Sequence, residues 1–399
     1  MWIAGSLPQS EETCAYSLYV HIPFCTRKCP YCHFYVLPYR ESDADLLVQA
    51  LLAEWELRRP SLQGRALASL YFGGGTPALL PAKALERLIQ AFSGSKRGPH
   101  LEITLEANPE DVSIERLTAW HALGMNRLSF GVQSLQADEL VRLGRKHSPQ
   151  RACRAIEDAH TCGFRNISID LMMETPLQTL SSWQETLHTA VSLPIQHLSL
   201  YNLTIEPHTA FARQGAALRA QLPSQEVGAR MLQEAKAVLD SSGWVRYEIS
   251  AFARSEEHRS CHNQGYWLGR PFWGLGPSAW SFWDRQRIRN LPHLRRWASS
   301  ILQGDLAEDE HEELSAAARQ AEMLAVGLRL VDGLDRVAFE TRWGPLPGRL
   351  LVLLQQLGQQ GLVDFTETRI RLTDRGLDLH DEIASELVLP EEEAPCRLP

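Results

Sequence analysis

Cys25, Cys29 and Cys32 lie within eight consecutive positions, separated by three and then two residues. Thiolates at that spacing can wrap one loop around three corners of a cubane iron–sulfur cluster, which ordinarily takes four cysteine ligands. Supplying three leaves one iron open to a small molecule. The spacing also suits zinc if a fourth ligand joins, and His21 and His33 stand close enough to serve. A second group is dispersed: Glu106, Gln133, Arg145 and Asp170 each fall at or just beyond the end of an apolar run. Buried unpaired, such side chains cost roughly 1–3 kcal/mol or more, so they read as a polar site or as strand-end caps. Arg145 can fork onto a carboxylate, while Glu106 and Asp170 can accept from amines or hydroxyls. The glycines at 73–75 either let the backbone approach a ligand or simply form a tight turn. A third group surrounds His262, with Tyr266, Trp267, Phe272 and Trp273 close by. Imidazole is a common metal ligand, and aromatic rings stack on flat partners. The plainer alternative is a Trp-rich loop that packs over the fold with His262 hydrogen-bonded inside it. Cys261 reads as a further thiolate or a buried structural cysteine; His147, His197 and His208 read as structural or exposed.

The elements that would position these residues follow from periodicity. Residues 18–22, 69–72, 102–106, 127–131, 167–172 and 197–203 read as short strands, several of them nearly continuous apolar runs typical of parallel sheets. Helices alternate with them. One covers 45–58 with Leu47, Leu51 and Trp55 on one face; another starts after Ser224 as N-cap and ends before Gly243. Six strand–helix units predict a partial (β/α)6 barrel or an open parallel sheet, with reactive residues at the carboxyl ends of the strands. The stretch 261–283 reads as irregular, and the acidic run 308–313 as a solvated linker or a first helical turn. Helices over 315–330 and 349–360, then strands at 362–365 and 369–372, predict a helical, winged-helix-like C-terminal domain. The expected organisation is a leader at 1–17, a core barrel at 18–250, a Trp/Gly-rich segment and linker at 251–307, the C-terminal domain at 308–390 and a tail at 391–399.

Composition removes several classes. With 40 basic and 48 acidic side chains the net charge is −8, which argues against a nucleic-acid partner. No apolar run approaches the ~20 residues of a membrane span, leaving only peripheral membrane association open. Residues 1–14 lack the pattern of a signal peptide. Eight cysteines in 399 residues are too sparse for a disulfide scaffold, and their clustering predicts metal ligation in a reducing, cytoplasmic compartment.

CxxxCxxC after a first strand resembles the signature of radical S-adenosylmethionine (SAM) proteins, and His21-Ile-Pro-Phe-Cys25 narrows the resemblance. The chain is similar to the branch that holds oxygen-independent coproporphyrinogen III oxidases and HemW-type heme chaperones. The blocks carrying this are GGGTP at 73–77, EANP at 106–109, GVQS at 131–134, LGR at 143–145, YNLTIEP at 201–207, YEIS at 247–250 and HNQGYW at 262–267. The resemblance implies a [4Fe–4S] cluster on Cys25, Cys29 and Cys32, whose open iron chelates SAM and whose electron cleaves it to a radical. It assigns Tyr19, Tyr31, Gly74, Gly75, Thr76, Glu106, Gln133, Arg145 and Asp170 to SAM, and His262, Tyr266 and Trp267 to heme. It also implies heme-accepting hemoproteins and an electron donor as partners.

Between the two activities, the oxidases carry a fourth cysteine where Phe34 stands, together with a longer leader. The chaperones carry Phe there and a His-Asn-x-x-Tyr-Trp block like 262–267. Both features favour the chaperone; the oxidase, or a scaffold without SAM turnover, is the alternative. This chain departs from the family at Glu174, Leu177 and Ser278, where glycine is usual, at Trp280, where histidine is usual, and at His33. At Glu174 and Leu177 a left-handed backbone would be strained.

Overall fold

The structure, a computed structural model, describes residues 15–94 and 100–388. Most of the expected leader and all of the expected tail lie outside them. The main sheet has twelve strands. Six carry the barrel: β1 (Ala15–Ile22), β2 (Ala66–Gly74), β3 (Glu102–Ala107), β4 (Arg127–Gln133), β5 (Ile167–Met173) and β6 (His197–Asn202), parallel throughout and in chain order. Beyond β6 come two antiparallel strands, β7 (Val245–Arg246) and β8 (Ala251–Ala253). On the other side of β1 lie β9 (Phe272–Leu275), β10 (Trp280–Trp283), β11 (Gln286–Asn290) and β12 (Glu308–Glu313). The sheet is therefore an open, partial barrel with added edges.

Alternation along each strand decides its two faces. Leu18, Val20, Ile22, Leu70 and Phe72 are fully buried, in one cluster with residues of helices α1 (Glu41–Arg58) and α2 (Ala82–Ser93). Their neighbours Ser17, Tyr19, His21, Ser69 and Tyr71 take the concave face. Register places inward residues side by side: Ser17 opposite Ser69, Glu106 opposite Ser129, Asp170 opposite Ser199. Helices α3 (Ile114–Ala122), α4 (Pro149–Thr161), α5 (Leu180–Ser192) and α6 (Gln225–Ser241) complete the outer layer. Ser224 caps α6, its hydroxyl accepting from the Val227 amide, as the sequence predicts.

Two readings are corrected. The stretch 261–283 is not irregular: it forms α7 (Cys261–Trp267) and strands β9 and β10, with β9 parallel to β1. A four-residue strand is too short for period 2 to register, and its Gly274 is required because a Cβ there would lie 2.0 Å from the Trp280 carbonyl oxygen. The acidic run is neither linker nor helix but the edge strand β12. Arg287 and Arg289 of β11 donate to Glu312 and Glu310 across the pair, at 2.8 and 2.6 Å, and so offset the poor strand propensity of glutamate. Its charge also protects the sheet edge.

A second core is built from α9 (Ala316–Gly327), α10 (Arg336–Trp343), α11 (Gly348–Gln359) and α12 (His380–Val388) around a sheet ordered β13 (Leu334–Asp335), β15 (Arg369–Leu372), β14 (Val363–Phe365). The hairpin and the two long helices that precede it, α9 and α11, were legible in the sequence. Helix α10 and strand β13 were not, being short and weakly patterned. Arg342 joins this module to the loop after α7, donating to the Leu268 and Gly269 carbonyls at 2.8 and 2.6 Å. Helix α8 (Leu294–Leu302) packs against α1.

One buried ion pair holds α1 to the strands beyond β1. Glu54, fully buried, accepts from Arg58 at 3.1 Å, from Asn290 at 2.7 Å and from the Gly276 amide at 2.8 Å, while Arg58 stacks over Trp273. Removing one partner strands a buried charge, at a cost of about 3–5 kcal/mol. Glu54→Ala is accordingly expected to destabilise the protein by about that amount in denaturant unfolding, and Glu54→Ala combined with Arg58→Met by less. Additive losses in the pair of variants would contradict this coupling.

Candidate functional site

The carboxyl ends of β1–β6 open onto a cavity of about 460 Å3. Cys25, Cys29 and Cys32 line it, on a loop that leaves β1 through Pro23. That loop is pinned at both ends: the Thr76 amide donates to the Phe24 carbonyl at 2.7 Å, and Tyr39 to that of Cys25 at 3.3 Å. Gly75 allows the first contact, since a Cβ there would sit 2.6 Å from the Phe24 carbonyl oxygen. Gly74, at φ +107°, would drive a Cβ to 2.5 Å from the His21 ring. Both glycines thus belong to a tight turn packed on β1 and the loop after it, and both also line the cavity.

The same cavity gathers Tyr31, Thr76, Glu106, Gln133, Arg145 and Asp170. Eight of the nine residues expected around SAM therefore line one wall with the three thiols. Tyr19 is not among the lining residues: its hydroxyl lies 3.0 Å from His21 Nδ1 and its ring stacks on Tyr71. Gln133 reaches the site through a bulge where β4 slips against β5, with its own φ at +69°. Arg145 is held by Asn108 Oδ1 and the Gly131 carbonyl, each at 2.5 Å, and its Nη1 lies 3.6 Å from Cys29 Sγ. Glu106 accepts from the Tyr71 hydroxyl at 2.7 Å and the Gly74 amide at 3.2 Å. Burial pushes its carboxyl up to about 7, against those two hydrogen bonds, and burial likewise pushes Asp170 up to about 6. Asn108, Tyr201, Thr204 and Glu206 also line the cavity and had no assigned role, although all four fall inside the EANP and YNLTIEP blocks.

Of the two histidines weighed as a fourth zinc ligand, His33 lines the thiol cavity and His21 does not. His21 spends both ring nitrogens on Tyr19 and on the Tyr35 carbonyl, at 3.0 and 3.1 Å, and burial pushes its pKa down to about 4. Among the described residues no group of three or more His, Cys, Asp or Glu side chains closes on a point as a single ion requires. Three thiols around an open cavity, with the Arg145 guanidinium beside them, fit a bulky anionic cluster instead. Cys25, Cys29, Cys32, Cys153 and Cys162 form no disulfide.

His262 lies elsewhere. It is 1% exposed, inside the barrel, with Nδ1 2.8 Å from Ser69 Oγ and Nε2 2.7 Å from the Tyr266 hydroxyl. Burial and then Arg270 push its pKa down to about 3, so it is the neutral imidazole, one nitrogen donating and the other accepting. Glu102 accepts from the amides of Cys261 and His262, at 3.0 and 2.9 Å, and so seats the first turn of α7 in the barrel. In this arrangement His262 offers no lone pair to a heme iron, Tyr266 spends its proton on His262, and Trp267 lines a different cavity. The hydrogen-bonded alternative describes His262 as it stands.

Glu174, Leu177 and Ser278 adopt φ of +59°, +68° and +69°, the left-handed region that glycine would enter freely. For a branched residue such as Leu177 that costs roughly 1–2 kcal/mol. Glu174 recovers part through a 2.7 Å bond from Asn202, packed against Gly228, and neither Glu174 nor Leu177 lines the cavity.

The comparisons agree with this geometry. The radical SAM superfamily model matches residues 19–190, and the HemN C-terminal domain model matches residues 314–379. The chain is 32% identical to the heme chaperone HemW of Bacillus subtilis, over 92% of this chain and 97% of that one. It belongs to the HemW family of radical SAM proteins. HemW of Escherichia coli is likewise 32% identical, over 90% of this chain and 94% of its own. A mitochondrial radical S-adenosyl methionine domain-containing protein 1 of Danio rerio is 34% identical, over 81% and 75%. The radical SAM coproporphyrinogen III oxidase HemN of Escherichia coli superposes with a TM-score of 0.80 at 28% identity, over 93% of this chain and 89% of that one. Membership of the radical SAM family implies a [4Fe–4S] cluster and SAM. No helix among the described residues is long and apolar enough to cross a membrane.

A raised carboxyl pKa means that the folded state binds a proton the unfolded state has lost, so stability falls between pH 4.5 and about 7. Glu106→Gln removes that penalty. Without ligand, the stability of the variant relative to the parent is expected to rise by roughly 1–3 kcal/mol from about pH 5 to about pH 7.5. A constant difference across that range in urea unfolding would show that Glu106 ionises freely.

Proposed function

We propose that this chain is a heme chaperone of the HemW kind. It holds a [4Fe–4S] cluster on Cys25, Cys29 and Cys32, takes SAM beside it, binds heme and passes it to acceptor hemoproteins. The observation that carries this is the end-to-end identity with the HemW heme chaperone of Bacillus subtilis. Phe34 supports it locally: where an oxidase would have a further cysteine, this aromatic side chain stands 54% exposed on the cavity wall. The reading includes an electron donor and a reducing, cytoplasmic compartment, and no nucleic acid.

When bound, the cluster supplies the electron that cleaves the SAM sulfonium, chemistry that belongs to the cofactor. The chain's own residues hold and orient. Arg145, its Nη2 spent on Asn108 and Gly131, presents Nη1 and a fixed positive charge to the SAM carboxylate. Glu106, held by Tyr71 and Gly74, accepts from the amine, and Asp170 from the ribose hydroxyls. Gly74, Gly75, Thr76, Gln133 and Tyr31 complete the wall. The superposition on HemN favours a second reading, oxidation of coproporphyrinogen III on the same scaffold.

Anaerobic reconstitution tests both. A brown protein with a cubane signal on reduction is expected, lost in Cys25→Ala, Cys29→Ala or Cys32→Ala and kept in Cys153→Ala. SAM should perturb that signal, and Arg145→Ala should weaken the perturbation by about tenfold in SAM concentration, as expected for losing one charge-assisted hydrogen bond. Heme-loaded protein should deliver heme to an apo-hemoprotein and leave coproporphyrinogen III unchanged with SAM and reductant present. Catalytic decarboxylation without heme transfer would establish the oxidase instead.

A further inference from the structure

Trp267 and the C-terminal module enclose a second cavity, of about 370 Å3, distinct from the one that holds the thiols. Its walls are Trp267, Phe339 and Trp343 with Met323, Leu268 and Leu334, closed on one side by Arg342. Gly269 is needed there: at φ +68°, a Cβ would lie 2.9 Å from both Met323 Sδ and Trp343 Cζ2. Two guanidinium groups back the aromatic walls. That of Arg329 lies 4.4 Å over the Trp267 ring, and that of Arg342 lies 4.5 Å over Trp343. The Trp267 indole N–H is buried and has no acceptor.

Aromatic and apolar walls call for a flat apolar ligand, while an unanswered N–H calls for an acceptor such as a carboxylate; Arg329 is itself paired with Glu248 at 3.1 Å. We infer that this cavity, and not His262, seats a planar macrocycle by one edge and directs a carboxylate of it to the Trp267 indole N–H. The identification of that ligand as heme rests on the chaperone reading; the site rests on the cavity. The block 262–267 is thereby divided. His262 and Tyr266 fix α7 in the barrel interior, and Trp267, at the end of the same helix, carries the recognition.

The test is a titration of the full chain, purified anaerobically, with hemin and with metal-free protoporphyrin IX, read as tryptophan quenching and as a Soret difference spectrum. Ala338→Trp, which fills the cavity, is expected to weaken both by about tenfold or more, the scale of losing one well-packed contact region. Trp267→Phe keeps an aromatic wall but removes the N–H together with the fused pyrrole ring of the indole. It should weaken protoporphyrin IX by about fivefold to tenfold more than it weakens the dimethyl ester, the difference expected for one hydrogen bond to a charged acceptor. His262→Ala should leave affinity for the metal-free ring within about twofold. Far-ultraviolet dichroism checks that each variant folds, and the conservative Trp267→Phe keeps the test intact if Ala338→Trp does not. Parental affinity in both Ala338→Trp and Trp267→Phe would overturn the site while leaving the chaperone reading standing. Absence of saturable hemin binding in the parent protein would overturn that reading and the site with it.

Discussion

A parallel strand that alternates polar and apolar residues commits one face to helices and leaves the other needing hydrogen-bond partners. In this protein the polar face is the concave one. Ser17, Ser69, Thr104, Arg127, Ser168 and His197 are all buried there. A sheet cannot satisfy that face by itself, because its own amides and carbonyls are spent on the ladder. Side chains delivered from later in the chain do so. Tyr247 reaches His197 at 2.8 Å, and His262 reaches Ser69 at the same distance. The barrel interior is thus closed by residues some 50 to 190 positions downstream of their partners.

The short helix α7 concentrates this constraint. Glu102, at the start of β3, accepts its first amides, and a neutral hydrogen-bond chain then runs inward: the Tyr266 hydroxyl donates to His262, whose other nitrogen donates to Ser69, which donates to Ser17. Tyr71 stacks on the His262 ring at 4.7 Å and sends its hydroxyl to Glu106, at the wall of the thiol cavity. A side chain that reads as a metal ligand by type is therefore part of the support of the cofactor cavity. The same helix ends on the second cavity, so its register sets both regions.

Strain is placed where the chain turns over the strand ends. Gln133 lines the thiol cavity at positive φ and owes that placement to a bulge, a local cost that re-aims one side chain. Glu174, Leu177 and Ser278 bear the same conformation outside that wall. Their identity costs stability without presenting a group to the thiol cavity; of this chain's departures from the family, His33 is the one that lines it.

Local signals determined a good deal. Spacing alone announced the thiol loop, short apolar runs announced six strands to within a few residues, and Ser224 announced the start of its helix. Each rests on interactions within a few positions, so one-dimensional pattern suffices. The left-handed backbone at Glu174 and Leu177 was likewise legible, because a residue standing where glycine is usual marks a turn. Tertiary structure decided the rest. Strands β9 and β12 exist because of what they pair with, a parallel neighbour more than 250 residues earlier and a row of arginines on the adjacent strand. Whether Tyr19 lines the cavity and whether His262 has a nitrogen to spare depend on the partners that close the barrel. Those partners are brought near by the fold, and residue type carries no record of which lone pair is already spent.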